Sequence, residues 1–150
     1  MFHILLALHL LFAIFAIGPL VHAAATAARG VRTGDATATA SSARTLRIYA
    51  YVSLLVVIAG FWLMSVKPPN GAAKHVAEFS DTFIWLSFVL WLVAVGLVLG
   101  GIVPALRRIT AAIGRQESVA ARTTQVIAAS GIVSVIFAVI VFLMVYQPGR

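Results

Sequence analysis

His9 lies within a long apolar run, and no other ionisable side chain sits as deep in any such run of this chain. An unpaired polar group is costly in hydrocarbon, so an ionisable residue there is a functional hypothesis in itself. Two kinds of chemistry suit it. As a haem axial ligand or a proton relay it would serve electron or proton movement. As a neutral imidazole it would bond to a neighbouring helix, through Ser87 or a backbone carbonyl. A bis-histidine haem needs a second His at matching depth, and the other three apolar runs hold none. That leaves a five-coordinate haem on His9 alone, and helix packing is the preferred reading.

A second group, His3, His75, Glu78 and Asp81, offers nitrogen and oxygen ligands that suit copper or zinc. His75-x-x-Glu78 puts two of them on one helix face, while His3 would have to be brought in by folding. Ordinary solvated interfacial residues account for the same set, so no metal and no cofactor is assigned. Gly96-x-x-x-Gly100-Gly101, and Ser130-Gly131 with Ser134, are small-residue strips that let helix backbones approach closely. They could serve the bundle itself or a partner, and internal packing is preferred.

Other chemistries find no residues. Without cysteine there is no disulfide, thiolate metal site, iron–sulfur cluster or thiol nucleophile. No HExxH, Gly-x-Ser-x-Gly, P-loop or dinucleotide fingerprint is present, and no base stands beside the serines of the apolar runs. The chain reads as non-enzymatic. Pro19 and Pro104 free the carbonyls of Phe15 and Gly100, as the broken helices of transporters do. No carboxylate lies in any apolar run to couple protons or sodium, so packing kinks explain them better.

The elements that hold these residues are read from composition. Hydrophobic residues make up 62% of the 150 residues and charged residues 10%, and mean hydropathy is +1.06. A soluble domain needs far more charge to cover its surface. Almost charge-free stretches run over 2–25, 48–66, 83–106 and 126–146. Each is near the ~20 residues a helix needs to cross hydrocarbon, and none alternates as a membrane barrel strand would. The prediction is a single all-α domain over 1–150, a polytopic four-helix membrane bundle. Val21-His22-Ala23-Ala24-Ala25 resembles a signal-peptidase site, but Met1-Phe2-His3 lacks a fixed positive charge and the apolar run is long, so the first span is retained.

Basic residues set the orientation. Arg29, Arg32, Arg44 and Arg47 lie in the first connector, and Arg107, Arg108, Arg115 and Arg122 in the third; the second has Lys67 and Lys74, and the tail Arg150. The positive-inside rule then puts the first and third connectors in the cytoplasm and both termini outside. Trp62, Trp85 and Tyr146 fall near the outer interface, Tyr49 and Tyr51 near the inner one. The basic residues behind the net charge of +7 lie almost wholly in the connectors, which topology explains without nucleic acid. Nine Arg against two Lys, with much Ala and Val, suggests a bacterial chromosome rich in G and C, hence a bacterial inner membrane.

Pro19 with Thr26-Ala27-Ala28-x-Gly30 is echoed by Pro104 with Thr110-Ala111-Ala112-x-Gly114, and Ala43-Arg44-Thr45 by Ala121-Arg122-Thr123. The chain therefore reads as two parallel helical hairpins, with chance as the competing explanation for the echo. Asp35 is placed to cap a helix after the Thr33-Gly34 turn, and Gly114 plays the corresponding role before Gln116 and Glu117. Pro68-Pro69-Asn70-Gly71 breaks the chain, and residues 72–79 suit a short interfacial helix before Ser80-Asp81 starts the third span.

Leu8-His9-Leu10-Leu11-Phe12 followed by Ile17-Gly18, with four spans in this length, resembles a family of uncharacterised bacterial integral membrane proteins. Through it the chain distantly resembles the membrane domain of the copper-resistance D family, which also places a His early in a helix. That family would have Trp where Ile17 stands. The resemblance implies copper handling by His9 and the outer histidines. The residues themselves point to an accessory or scaffold subunit packed against other integral membrane proteins in a hetero-oligomer, and against lipid. The alternatives are a small oligomeric transporter or channel, and a haem or metal protein using His9. Small multidrug carriers have this size but carry an acid in the first span, absent here.

Overall fold

The computed structural model describes residues 1–66, 81–118 and 120–147. The expected break at residues 68–71, the interfacial helix at 72–79, His75 and Glu78 lie outside the described residues. What is described is all-helical.

α1 (Phe2–Thr33) and α2 (Ala36–Ser65) form the first hairpin. At 32 residues, α1 is about 48 Å long, well beyond the ~30 Å hydrocarbon thickness, so the hairpin tip stands clear of it. The tip is made by local chemistry. Gly34 takes the left-handed conformation (φ 66°), and its own N–H and that of Asp35 return to the carbonyls of Val31 and Gly30. The Asp35 carboxylate then accepts the Ala38 N–H at 2.9 Å, capping α2 as its sequence position predicts. Just inside the tip, a methyl added to Gly30 would lie 3.0 Å from Ala38 Cβ and 3.3 Å from Thr39 N, so any larger residue would push the two helices apart by a few tenths of an ångström.

The third span is one continuous rod of three parts: α3 (Thr82–Gly96), a π segment (Leu97–Ile102) and α4 (Val103–Gly114). Val103 N–H reaches back five residues to Val98 O. Pro104, at the start of α4, has no N–H and its ring crowds the carbonyl of residue 100; the wider π turn before it absorbs the mismatch. α5 (Ala120–Tyr146) completes the second hairpin.

The second tip differs from its expected form. Gly114 ends α4 in helical conformation, and Gln116 is the left-handed residue (φ 56°). Glu117 N–H closes the motif on Ala112 O at 3.0 Å. Glu117 does not start a helix. Burial of Ile109 and Ala112 against the bundle carries α4 through Gly114, and the left-handed turn must follow the helix end whatever residue stands there. The two halves of the sequence echo are therefore used differently, since Gly30 is clamped between helices and Gly114 meets nothing.

The rods pack as a ring in up-down-up-down order: α1 against α2 and α5, α2 against the π segment and α4, α3 against α5. Inside lie Ala23, Ala24, Ala27, Ala43, Ala50 and Ala94 with Leu20, Leu46, Ile102, Leu106 and Phe137, together with Ser42, Ser53, Ser87, Ser130 and Thr39. Outside lie Ile4, Ile14, Phe15, Leu54, Leu55, Ile58, Val135 and Phe142. Small and hydroxylated residues turned inward among a few large ones, with an outer surface of large apolar side chains, is the arrangement of helices packed in lipid. In the most apolar 18-residue windows of α1 and α2 only 17% of positions are buried. Water would not tolerate so much apolar surface.

Candidate functional site

Polar side chains inside an apolar bundle are the natural places to look for chemistry. His9 Nδ1 lies 3.0 Å from the backbone oxygen of Val56 on α2. A carbonyl only accepts, so Nδ1 carries a proton, and in the neutral imidazole Nε2 keeps the lone pair. The ring sits over Gly60, where an added methyl would meet His9 Cε1 at 3.2 Å and Nδ1 at 3.5 Å. Of the two packing partners considered for His9, a backbone carbonyl is the one used. Ser87 is buried on α3 with no hydrogen-bond partner among the described residues.

A second polar contact lies between α2 and α3. Trp91 Nε1 donates to Ser53 Oγ at 3.0 Å, and Ser53 donates onward to Ala50 O at 2.7 Å. Phe88 stacks on Trp91 with centroids 5.9 Å apart, and Phe61 meets Phe88 edge-on at 5.8 Å. Nearer the hairpin tips, the hydroxyls of Thr39 and Thr110 lie 2.8 Å apart and join α2 to α4. Thr39 also reaches Ala36 O and Thr110 reaches Leu106 O. The two hydroxyls have one proton each, so at any moment two of these three contacts are hydrogen bonds.

Neither Trp91 nor Ser53 is among the candidates that residue type and spacing mark out. A signal exists: Trp91 stands in mid-span, away from the aromatic belts, and a buried indole N–H needs an acceptor. Gly60 and the Thr39–Thr110 pair carry no such mark, because their roles depend on which faces meet.

The remaining candidates do not converge. His3 is exposed at the start of α1, against the edge of Phe2. Asp81 precedes α3, where its carbonyl accepts the N–H groups of Ile84 and Trp85. Among the described residues no three His, Asp or Glu side chains come together to hold a metal. Ser134 donates to Ser130 O within its own helix at 2.9 Å, and the buried Ser130 hydroxyl has no partner among the described residues. Gly96 and Gly100 face outward, and a methyl on either would meet no atom within 4 Å. The internal packing preferred for them from sequence is therefore not where the structure puts them.

The described arginines gather at the hairpin-tip end, all exposed. Arg115 grips Glu117 through two contacts of 2.7 and 3.2 Å. The Arg115 hydrogen bond holds the Glu117 carboxyl below its ordinary range, with Arg122 adding a smaller electrostatic pull.

Fold and interior together define an integral membrane protein, an all-α bundle of four spanning helices whose buried polar groups tie helix to helix. No protein-family model, curated protein or solved structure matches the chain.

Proposed function

We propose that this chain is a non-enzymatic accessory or scaffold subunit of a larger membrane assembly. It sits in a bacterial inner membrane with its arginine-rich tips in the cytoplasm and both termini outside. The observation that carries this reading is the outward Gly96-x-x-x-Gly100 ridge. Two glycines one turn apart make a flat strip on a helix, and here the chain's own bundle does not cover it. In lipid such a strip lets a second helix approach closely, with van der Waals contact as the gain. The interior supports the same view. His9 is held in a helix-to-helix bond, and Ser53 and Thr39 are likewise engaged.

The test is extraction of tagged protein at native expression in mild detergent, followed by native electrophoresis and mass spectrometry. The chain should run with other polypeptides. Gly96→Leu should release them while leaving the isolated chain at least as stable, because a Cβ there meets no atom within 4 Å and leucine is the better helix former. A monomer or homo-oligomer that conducts solute in liposomes would instead establish a transporter. Copper retained by purified protein and lost in His9→Gln would establish the metal role that the sequence resemblance implies.

A further inference from the structure

The π segment and Pro104 have a consequence on the bundle's outer surface. Gly100, Gly101, Pro104 and Ala105 present little or no side chain, and a concavity of about 210 Å³ opens there between the third rod and α5. Its rim is polar, made by Arg108 from α4 and by Arg122 and Gln125 from α5. Arg108 follows Pro104 by four residues and Gln125 follows Arg122 by three, so each pair shares a helix face. Both arginines are exposed, and neither makes a hydrogen bond or ion pair among the described residues. Arg122 exerts an electrostatic pull on Glu117, but Arg115 already engages that carboxylate.

The groove is graded. Gly100 belongs to the apolar span, and Arg108 lies eight residues on, about 12 Å along a helix. An occupant must be apolar at one end and anionic at the other. At 210 Å³ the space is smaller than the roughly 300–1,000 Å³ of sites that enclose whole small molecules, and suits a headgroup whose tails remain outside. Two guanidiniums and an amide offer donors in the geometry that phosphate oxygens accept.

We propose that this groove binds the phosphodiester of one anionic phospholipid, with Arg108 and Arg122 on the phosphate, Gln125 on the headgroup, and the first acyl carbons over Gly101 and Ala105, beside the Gly96–Gly100 ridge. A basic pocket between helices at the headgroup level is a lipid site of known physical type. A free inorganic phosphate shares the charge but has no use for the apolar floor.

The experiment uses the 150-residue chain purified in a neutral detergent. It is titrated separately with short-chain phosphatidylglycerol, short-chain phosphatidylcholine and inorganic phosphate, and bound species are counted by native mass spectrometry. Phosphatidylglycerol should saturate at one per chain, with phosphatidylcholine and phosphate failing to displace it. Arg108→Gln combined with Arg122→Gln should weaken binding about thirtyfold, since each cation near a headgroup contributes about fivefold. Gly101→Leu keeps every charge, places a side chain in the floor from a Cβ position with no atom within 4 Å, and should also abolish saturation. Arg32→Gln with Arg47→Gln removes equal charge at the same end, away from the groove, and should leave affinity unchanged. Equal weakening by the two arginine pairs would reveal a diffuse basic surface and overturn the proposal. So would unaltered binding in Gly101→Leu, or displacement of the lipid by millimolar phosphate.

Discussion

Trp91 hangs from Ser53: the indole N–H donates to the Ser53 hydroxyl at 3.0 Å, and that hydroxyl donates to Ala50 O at 2.7 Å. The serine uses its proton and a lone pair at once, so α3 is tied through a side chain into the backbone of α2. Removing the two partners should not cost the same. Ser53→Ala leaves a buried indole N–H without an acceptor and should destabilise the chain by about 1 kcal/mol. In Trp91→Phe the Ser53 hydroxyl still bonds Ala50 O, so no polar group is stranded and only packing is lost. A double-mutant cycle of unfolding in mixed micelles should return a coupling of about 0.6 kcal/mol, the average for such bonds in membranes. Strict additivity would mean the bond contributes nothing.

His9 and Gly60 should be coupled in the opposite sense. With His9 present, Gly60→Ala pushes a methyl into the imidazole at 3.2 Å and threatens the bond to Val56 O, so the melting temperature should fall. In a His9→Ala background the ring is gone, and the same change should stabilise by up to about 1 kcal/mol through helix propensity. His9→Gln keeps a donor at similar reach and should fold nearly normally. Purified wild type should show no Soret band, and a band lost in His9→Gln would replace the packing role with a haem ligand.

The two hairpin tips place a left-handed residue one position before the closing N–H, and only the first uses glycine. Gly34→Ala should destabilise by about 1 kcal/mol, because φ 66° puts its new Cβ against the carbonyl. Gln116→Gly should stabilise, by roughly 0.5–1 kcal/mol, since φ 56° carries that penalty already. Thermal unfolding of the two variants in one detergent measures both signs. A loss of stability in Gln116→Gly would show that its side chain holds the turn.

Orientation is checked with single cysteines, which have no native background because the chain contains none. Cysteines at positions 70 and 147 should react with an impermeant reagent in spheroplasts, and those at 34 and 114 only after lysis. The reverse pattern would place the arginine-rich tips outside.

Much of the architecture is legible in the order of amino acids alone. Four apolar runs of spanning length, separated by charge, oblige the chain to form helices, because lipid offers no partner to an unpaired backbone amide. Asp35 after Gly34 announces the first tip, since a cap and a left-handed residue are requirements of a few neighbouring atoms. Such constraints are local in the chain, and sequence records them directly.

Which face of each helix turns inward is left to tertiary packing. In water an apolar stripe marks the buried side, but in lipid every face of these spans is apolar and no stripe distinguishes them. Gly30 and Gly60 are therefore turned inward by what they must accommodate, Ala38 and the His9 ring, while Gly96 and Gly100 are left outside. The same contest gives His9 the Val56 carbonyl and leaves Ser87 without a partner among the described residues. It turns the helix at Gln116 and not at Gly114, because the inward faces of Ile109 and Ala112 have first to be covered. Close packing of small side chains and a few buried hydrogen bonds set each helix's rotation, and both exist only once the helices have met.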